Sequence, residues 1–142
     1  FNKIISEGHA IGNHTHNHLH GWKTDNETYL NNVLECENII FNSVQKIKTS
    51  KLFRPPYGKI KNSQARKLLK KGYRIIMWDI LSGDFDTSIS KEKCLQNVLK
   101  NTKKGSIIVF HDSLKAAEKI KYALPKVLSF FSKKGFIFCK IE

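Results

Sequence analysis

Apolar residues recur with a helical period in some stretches of this chain and crowd into short runs in others, and the two kinds of stretch alternate. In the opening FNKIISE, residues 1, 4 and 5 share a helical face and Gly8 follows, predicting a helix met mid-course and ended by the glycine. Thr24 and Glu27 make a capping-box pair ahead of Leu30, Val33, Leu34, Ile40, Phe41, Val44 and Ile47, the spacing of a long amphipathic helix. KLFRPPYG at 51–58 cannot be helix interior, because its two prolines remove donors and hold Arg54 extended; it predicts a short strand entering a loop. Asn62 or Ser63 caps a helix through Ala65, Leu68 and Leu69 that Gly72 ends, and YRIIMW at 73–78 follows as a buried strand. Ser90 caps a helix bearing Leu95, Val98 and Leu99, stopped by Gly105 before a strand at 107–110. Pro125 opens the last helix, with Val127, Leu128 and Phe131, and Gly135 leads into a final strand at 136–141.

Strand and helix in alternation predict an α/β fold of parallel strands with helical crossovers, whose chemistry gathers at the C-terminal ends of the strands. Residues fitting that position are His14, Tyr57, Asp79, Asp84 and His111. The 142 residues suit one domain, with 40% apolar and 26% charged content and no internal repeat. No run approaches a membrane span. The chain opens without Met or a basic-then-apolar leader, so upstream sequence is expected and a signal peptide offers no guide to compartment. Cys36, Cys94 and Cys139 are scattered and odd in number, which excludes a disulfide framework and a zinc ribbon and predicts core thiols. A net charge of +13 would attract polyanions, but the lysines fall mainly on polar helix faces and no nucleic-acid-binding signature accompanies them. Nucleic acid is therefore the least favoured partner, while an acidic cell-wall polymer stays open.

Five of the six histidines crowd into GHAIGNHTHNHLHGW. On an extended chain His14, His16, His18 and His20 share a face; on a helical turn His14 and His18 stack. Both geometries bring two imidazoles together as nitrogen ligands for a divalent metal such as Zn²⁺. Gly12 and Asn13 offer a turn, and Thr15 a local hydrogen bond that orients the rings. His111 leaves the apolar run IIVF at a strand end, a position suited to a general acid or base. In FRPPYG, a rigid loop can present the Tyr57 N–H to an oxyanion while Arg54 pairs with a carboxylate, for which Asp79 and Asp84 are the candidates. Trp22, Trp78 and Phe85 are core or line a sugar groove, with core favoured for Trp78.

The ordered set GNHTHNH, FRPPYG, WDILSGDF and IIVFHD resembles the NodB-like polysaccharide deacetylases, the metal-dependent carbohydrate esterases. The resemblance implies a distorted (β/α) barrel, incomplete here and lacking its first βα units, with residues 1–142 forming a partial domain. It implies that His14 and His18 bind the metal, with Thr15 at the hydroxyl position between them. Arg54 would steady the catalytic carboxylate, the Tyr57 N–H would hold the oxyanion, and His111 would protonate the leaving amine. Two departures stand out. The family's aspartate-x-x-aspartate-tryptophan segment is here Leu81-Ser82-Gly83-Asp84-Phe85, and its Thr-Phe-Asp-Asp segment, source of the base and a third metal ligand, has no counterpart. About two βα units, on the order of 60 residues, would supply the latter.

The implied activity is hydrolysis of acetyl groups from an N-acetylated, or O-acetylated, polysaccharide, with release of acetate at the cell envelope or outside the cell. The 142-residue chain by itself is expected to be inactive. The competing class is a catalytically inactive carbohydrate- or cell-wall-binding remnant, distinguished by sugar binding that ignores chelators.

Overall fold

The computed structural model describes residues 2–43 and 51–141. Among them are α1 (Asn2–Ser6), α2 (Asn26–Ser43), β1 (Leu52–Phe53), α3 (Asn62–Lys70), β2 (Arg74–Ile75), β3 (Ile80–Leu81), α4 (Lys91–Asn101), β4 (Ile108–Val109) and α5 (Ala117–Lys133). The chain divides into two compact units, Phe1–Met77 with Lys140–Glu142, and Trp78–Cys139. Each has a parallel strand pair, so the α/β expectation holds.

In the first unit β1 pairs with β2, Leu52 opposite Arg74 and Phe53 opposite Ile75. Asn13 extends this ladder by a parallel bridge to Phe53, its N–H donating to the Leu52 carbonyl (2.7 Å) and its own carbonyl accepting from the Arg54 N–H (2.9 Å). Tyr29, Val33, Phe53, Leu68 and Tyr73 close the core beneath, one face each of α2 and α3 meeting the strands. In the second unit β3 pairs with β4, Ile80 opposite Ile108 and Leu81 opposite Val109. α4 and α5 bury Cys94, Leu95, Val98, Ala123, Val127 and Phe131 against Ile80. Each such side chain taken out of water contributes roughly 1.5–3 kcal/mol, which explains why helix spacing held up as a signal here.

Several boundaries moved. α2 is capped by Asp25, whose Oδ1 accepts the Thr28 N–H (2.9 Å), while the Thr24 hydroxyl donates to the His20 carbonyl (2.9 Å). Its expected tail at Val44 and Ile47 lies outside the described residues. α3 begins after Lys61, one residue before the expected caps. The run at 73–78 supplies β2 only, and β3 follows it across the unit boundary; Trp78, expected in the core, is half-buried. Ser90 does cap α4, accepting the Lys93 N–H (3.1 Å), but that helix ends at Asn101, ahead of Gly105. Pro125 lies inside α5, two turns beyond its start. The proline forfeits one hydrogen bond, but Ala123 and Val127 are buried on either side of it and hold the turn in place. The segment 136–141, expected as a strand, is in neither helix nor strand, and Ile137 and Phe138 are exposed. Cys94 is buried as expected, whereas Cys36 is half-buried and Cys139 exposed; all three are free thiols. No helix among the described residues is long and apolar enough to cross a membrane.

Candidate active site

The two residues that leave the first unit's ladder side by side, after Asn13 and Phe53, are His14 and Arg54. Their position at the ends of parallel-paired segments follows from the register alone. His14 Nδ1 lies 2.6 Å from the Arg54 carbonyl oxygen. A carbonyl only accepts, so Nδ1 carries the hydrogen, and in the neutral ring the lone pair sits on Nε2. This is how metal-binding imidazoles are commonly held, with a backbone carbonyl fixing tautomer and ring direction. The His18 ring meets His14 edge-on at 4.9 Å between centroids, and Tyr57 meets His18 at 4.7 Å.

The histidine segment adopts neither a strand nor a helical turn. Thr15 (φ 62°) and His18 (φ 54°) are left-handed, and Tyr57 (φ 58°) makes a third. Side chains in this region cost about 1 kcal/mol or more apiece, so other contacts must hold them there. Those contacts are on three buried asparagine and threonine side chains. Asn13 Oδ1 accepts the Thr15 N–H (2.9 Å) while its Nδ2 donates to the Val33 carbonyl (2.7 Å). Thr15 Oγ1 accepts the Leu19 N–H (3.1 Å). Asn32, reaching up from α2, accepts the N–H groups of His16 (3.0 Å) and Asn17 (2.9 Å) on one oxygen. The hairpin of histidines is thus suspended from β1 and α2, with the His14 and His18 side chains exposed.

Arg54 is half-buried, and its guanidinium donates to the carbonyls of Ile76 (3.2 Å, from Nε) and Met77 (3.3 Å, from NH2). Burial lowers its pKa from the ordinary guanidinium value, but the group remains a cation at neutral pH. Pro55 and Pro56 are buried and carry the chain into the tight turn Pro56–Gly58, where Tyr57 projects an exposed ring.

The second unit assembles its own pair at the strand ends. Asp84 is fully buried, three residues past β3, and His111 follows β4 by two. Asp84 Oδ2 accepts the His111 N–H (2.5 Å), and Oδ1 lies 2.8 Å from His111 Nδ1 and accepts the Ser82 hydroxyl (3.0 Å). A carboxylate facing Nδ1 places the hydrogen there and leaves Nε2, in the neutral ring, as the nitrogen with the lone pair. Phe85 packs edge-on against the imidazole at 4.8 Å. Asp84 is thus engaged within its unit by His111 and Ser82, partners that sequence reasoning did not assign to it. Asp79 is exposed and accepts the Ile107 N–H (2.8 Å) on Oδ2. Burial, and then the Asp84 charge, raise the pKa of the nearby Cys94 thiol, which keeps it an inert core group.

Comparison with known proteins decides what this arrangement belongs to. The polysaccharide deacetylase family profile matches residues 1–76, more than half of the chain. The chain belongs to the polysaccharide deacetylase family. A peptidoglycan-N-acetylglucosamine deacetylase of Bacillus cereus is 30% identical over 141 residues, covering 99% of this polysaccharide deacetylase chain and 65% of the relative. Chitin deacetylase 2 of Saccharomyces cerevisiae is 29% identical over 134 residues, 90% of this chain and 42% of the relative. Among solved structures, the Bc1960 peptidoglycan N-acetylglucosamine deacetylase superposes with a TM-score of 0.90 at 29% identity, over 98% of this chain and 64% of that one. This polysaccharide deacetylase chain therefore spans about two thirds, or less, of the lengths of these relatives.

Of the site residues expected from the sequence, His14, His18, Arg54 and Tyr57 cluster in the first unit, and Asp84 and His111 in the second. Asn13 was expected only as a turn residue, and Asn32 and Gln64 were not singled out at all; all three are buried amides that hold loops of the first unit. A single asparagine inside an amphipathic helix carries no local signal of the loop it will bind. Among the described residues no group of three or more His, Cys, Asp or Glu converges. The paired imidazoles, one with its tautomer fixed, fit two nitrogen donors of a metal site.

Proposed function

We propose that this chain carries part of the active site of a metal-dependent deacetylase that releases acetate from an N-acetylated polysaccharide of the peptidoglycan or chitin class. The observation that carries this reading is the His14 ring, oriented through Nδ1 by the Arg54 carbonyl, beside the exposed His18 ring. His14 and His18 would hold a divalent metal, Zn²⁺ by the chemistry of paired imidazoles. Once bound, such an ion supplies Lewis acidity toward an acetyl carbonyl and toward water.

The chain's own residues take the remaining parts. Water adds to the acetamide carbonyl; the Tyr57 N–H donates to the oxygen that gains charge. Arg54 steadies a carboxylate that accepts the proton of the attacking water. As the C–N bond breaks, the departing nitrogen takes up the proton that the carboxylate accepted, leaving acetate and a free amine. Within the second unit, His111, held through Nδ1 by Asp84, has in Nε2 the chemistry of a proton donor. An O-acetyl group leaves by the same route. The parallel pairs belong, on this reading, to a distorted (β/α) barrel, and the site of action is the cell envelope or the space outside it.

A second reading, a carbohydrate-binding domain without turnover, draws support from the exposed rings of Trp22 and Tyr57. Calorimetric titration with Zn²⁺ separates the two. Binding by the chain that falls at least about tenfold in both His14→Ala and His18→Ala supports the metal site. Equal binding by all three proteins rejects it. Acetate release from N-acetylglucosamine oligomers by the 142-residue chain would show that no further residues are needed for turnover.

A further inference from the structure

Trp22 is 56% exposed, yet the turn that carries it is tied by hydrogen bonds to Lys59, Ile60 and Gln64. The Gly21 N–H donates to the Lys59 carbonyl (3.1 Å), and the indole Nε1–H to the Ile60 carbonyl (3.0 Å). Lys59 Nζ sits over the indole at 4.2 Å from the ring centroid. Gln64, fully buried, donates to the carbonyls of Gly21 (3.0 Å) and Thr24 (3.1 Å), closing the turn from below. Gly21 is obligatory there, because a Cβ would run into the Lys59 carbonyl and approach Ile60 Cα to 2.9 Å.

A single exposed ring is ordinary on a protein surface, but one fixed through its N–H and joined to further rings makes a rigid apolar face. His20 meets Trp22 at 6.2 Å and stacks on Tyr57 at 5.4 Å, and Tyr57, also 58% exposed, meets His18. A continuous row of rings therefore runs from His14 and His18 to Trp22. Pyranose rings present C–H faces to aromatic rings and hydroxyls to flanking donors, and Lys59 supplies such a donor at the indole.

We propose that Trp22, with His20 and Lys59, forms a sugar subsite that binds a pyranose neighbouring the one at the histidine pair. This rests on the deacetylase reading and deepens it: the ligand is an oligosaccharide, recognised by the polymer around the acetyl group. Trp22 gives the platform, Lys59 a hydroxyl contact, and the Gln64 clamp keeps both at fixed distance from Tyr57.

The test is two-dimensional NMR of the full chain titrated with N-acetylglucosamine tetramer, following the indole N–H of Trp22 and the imidazole signals of His14 and His18. The Trp78→Phe variant assigns the indole. The inference expects the Trp22 indole and the histidine signals to move together, with about tenfold weaker affinity in Trp22→Ala and most of it restored in Trp22→Phe. Histidine signals that move while Trp22 stays still, with unchanged affinity in Trp22→Ala, would overturn the subsite and leave the deacetylase reading standing. No movement of either set would overturn the oligosaccharide ligand and the subsite together.

Discussion

Replacing Asn13 by alanine tests the claim that buried amides, rather than local propensity, hold the histidine hairpin. The side chain is 4% exposed and satisfies two groups, the Thr15 N–H at 2.9 Å and the Val33 carbonyl at 2.7 Å. The two losses are unequal. Val33 lies within α2 and its carbonyl keeps the helical bond, so losing a second donor there costs about 1 kcal/mol or less. The Thr15 N–H is buried with its residue and is left unsatisfied, at about 2 kcal/mol. The total, near 3 kcal/mol, lowers the urea midpoint by about 1.5 M for a slope of about 2 kcal/mol per molar. Unfolding followed by circular dichroism reads this directly. Asn13→Asp keeps the acceptor but sets a carboxylate against the Val33 carbonyl, so it should be no better at neutral pH and recover as acid restores a donor. Thr15 would also lose its reason to stay left-handed, so Zn²⁺ affinity should fall with stability. An Asn13→Ala midpoint within about 0.3 M of the parent would refute the reasoning.

Other substitutions probe the neighbouring turns. Gly21→Ala has no space for its methyl and should cost about 2 kcal/mol, seen as a lower melting temperature. Tyr57→Gly accepts the left-handed backbone and should melt close to the parent, whereas the β-branched Tyr57→Val should cost about 2 kcal/mol; equal melting of the two would discount strain at this turn. Asp25 has its pKa held below the ordinary 3.8, first by the Thr28 N–H and then by the Thr28 hydroxyl. A depressed carboxylate stabilises above its unfolded pKa and ceases to do so as pH falls through the folded one. The Thr28 amide signal should therefore shift with acid in that low range, and Asp25→Ala should abolish the shift.

What the sequence made legible was chemistry and helix faces. Of the residues expected at strand ends, His14, Tyr57, Asp84 and His111 do follow the paired segments at Asn13, β1, β3 and β4, whereas Asp79 precedes β3; a run such as IIVF followed by histidine marks its own boundary. Leu95 and Val98 found the core because burial at helical spacing is a collective signal. What was hidden depends on partners distant in the chain. Asn32 reads as an ordinary helix polar residue until His16 and Asn17 arrive to use it, and Asp84 reads as a loop acid until β4 brings His111 beside it. Pro125 misled for a different reason: a proline is a strong local signal, but packing around Ala123 and Val127 outweighs it.

The acceptor that orients the His14 ring is a main-chain oxygen, and this separates two contributions that mutagenesis usually confounds. No exchange of side chain at position 54 can delete it. A panel of variants there would report on the guanidinium alone, with the imidazole's proton still parked on the same nitrogen. To unsettle that proton, the peptide between positions 54 and 55 must itself be displaced, and the two buried prolines that follow stand against any such shift.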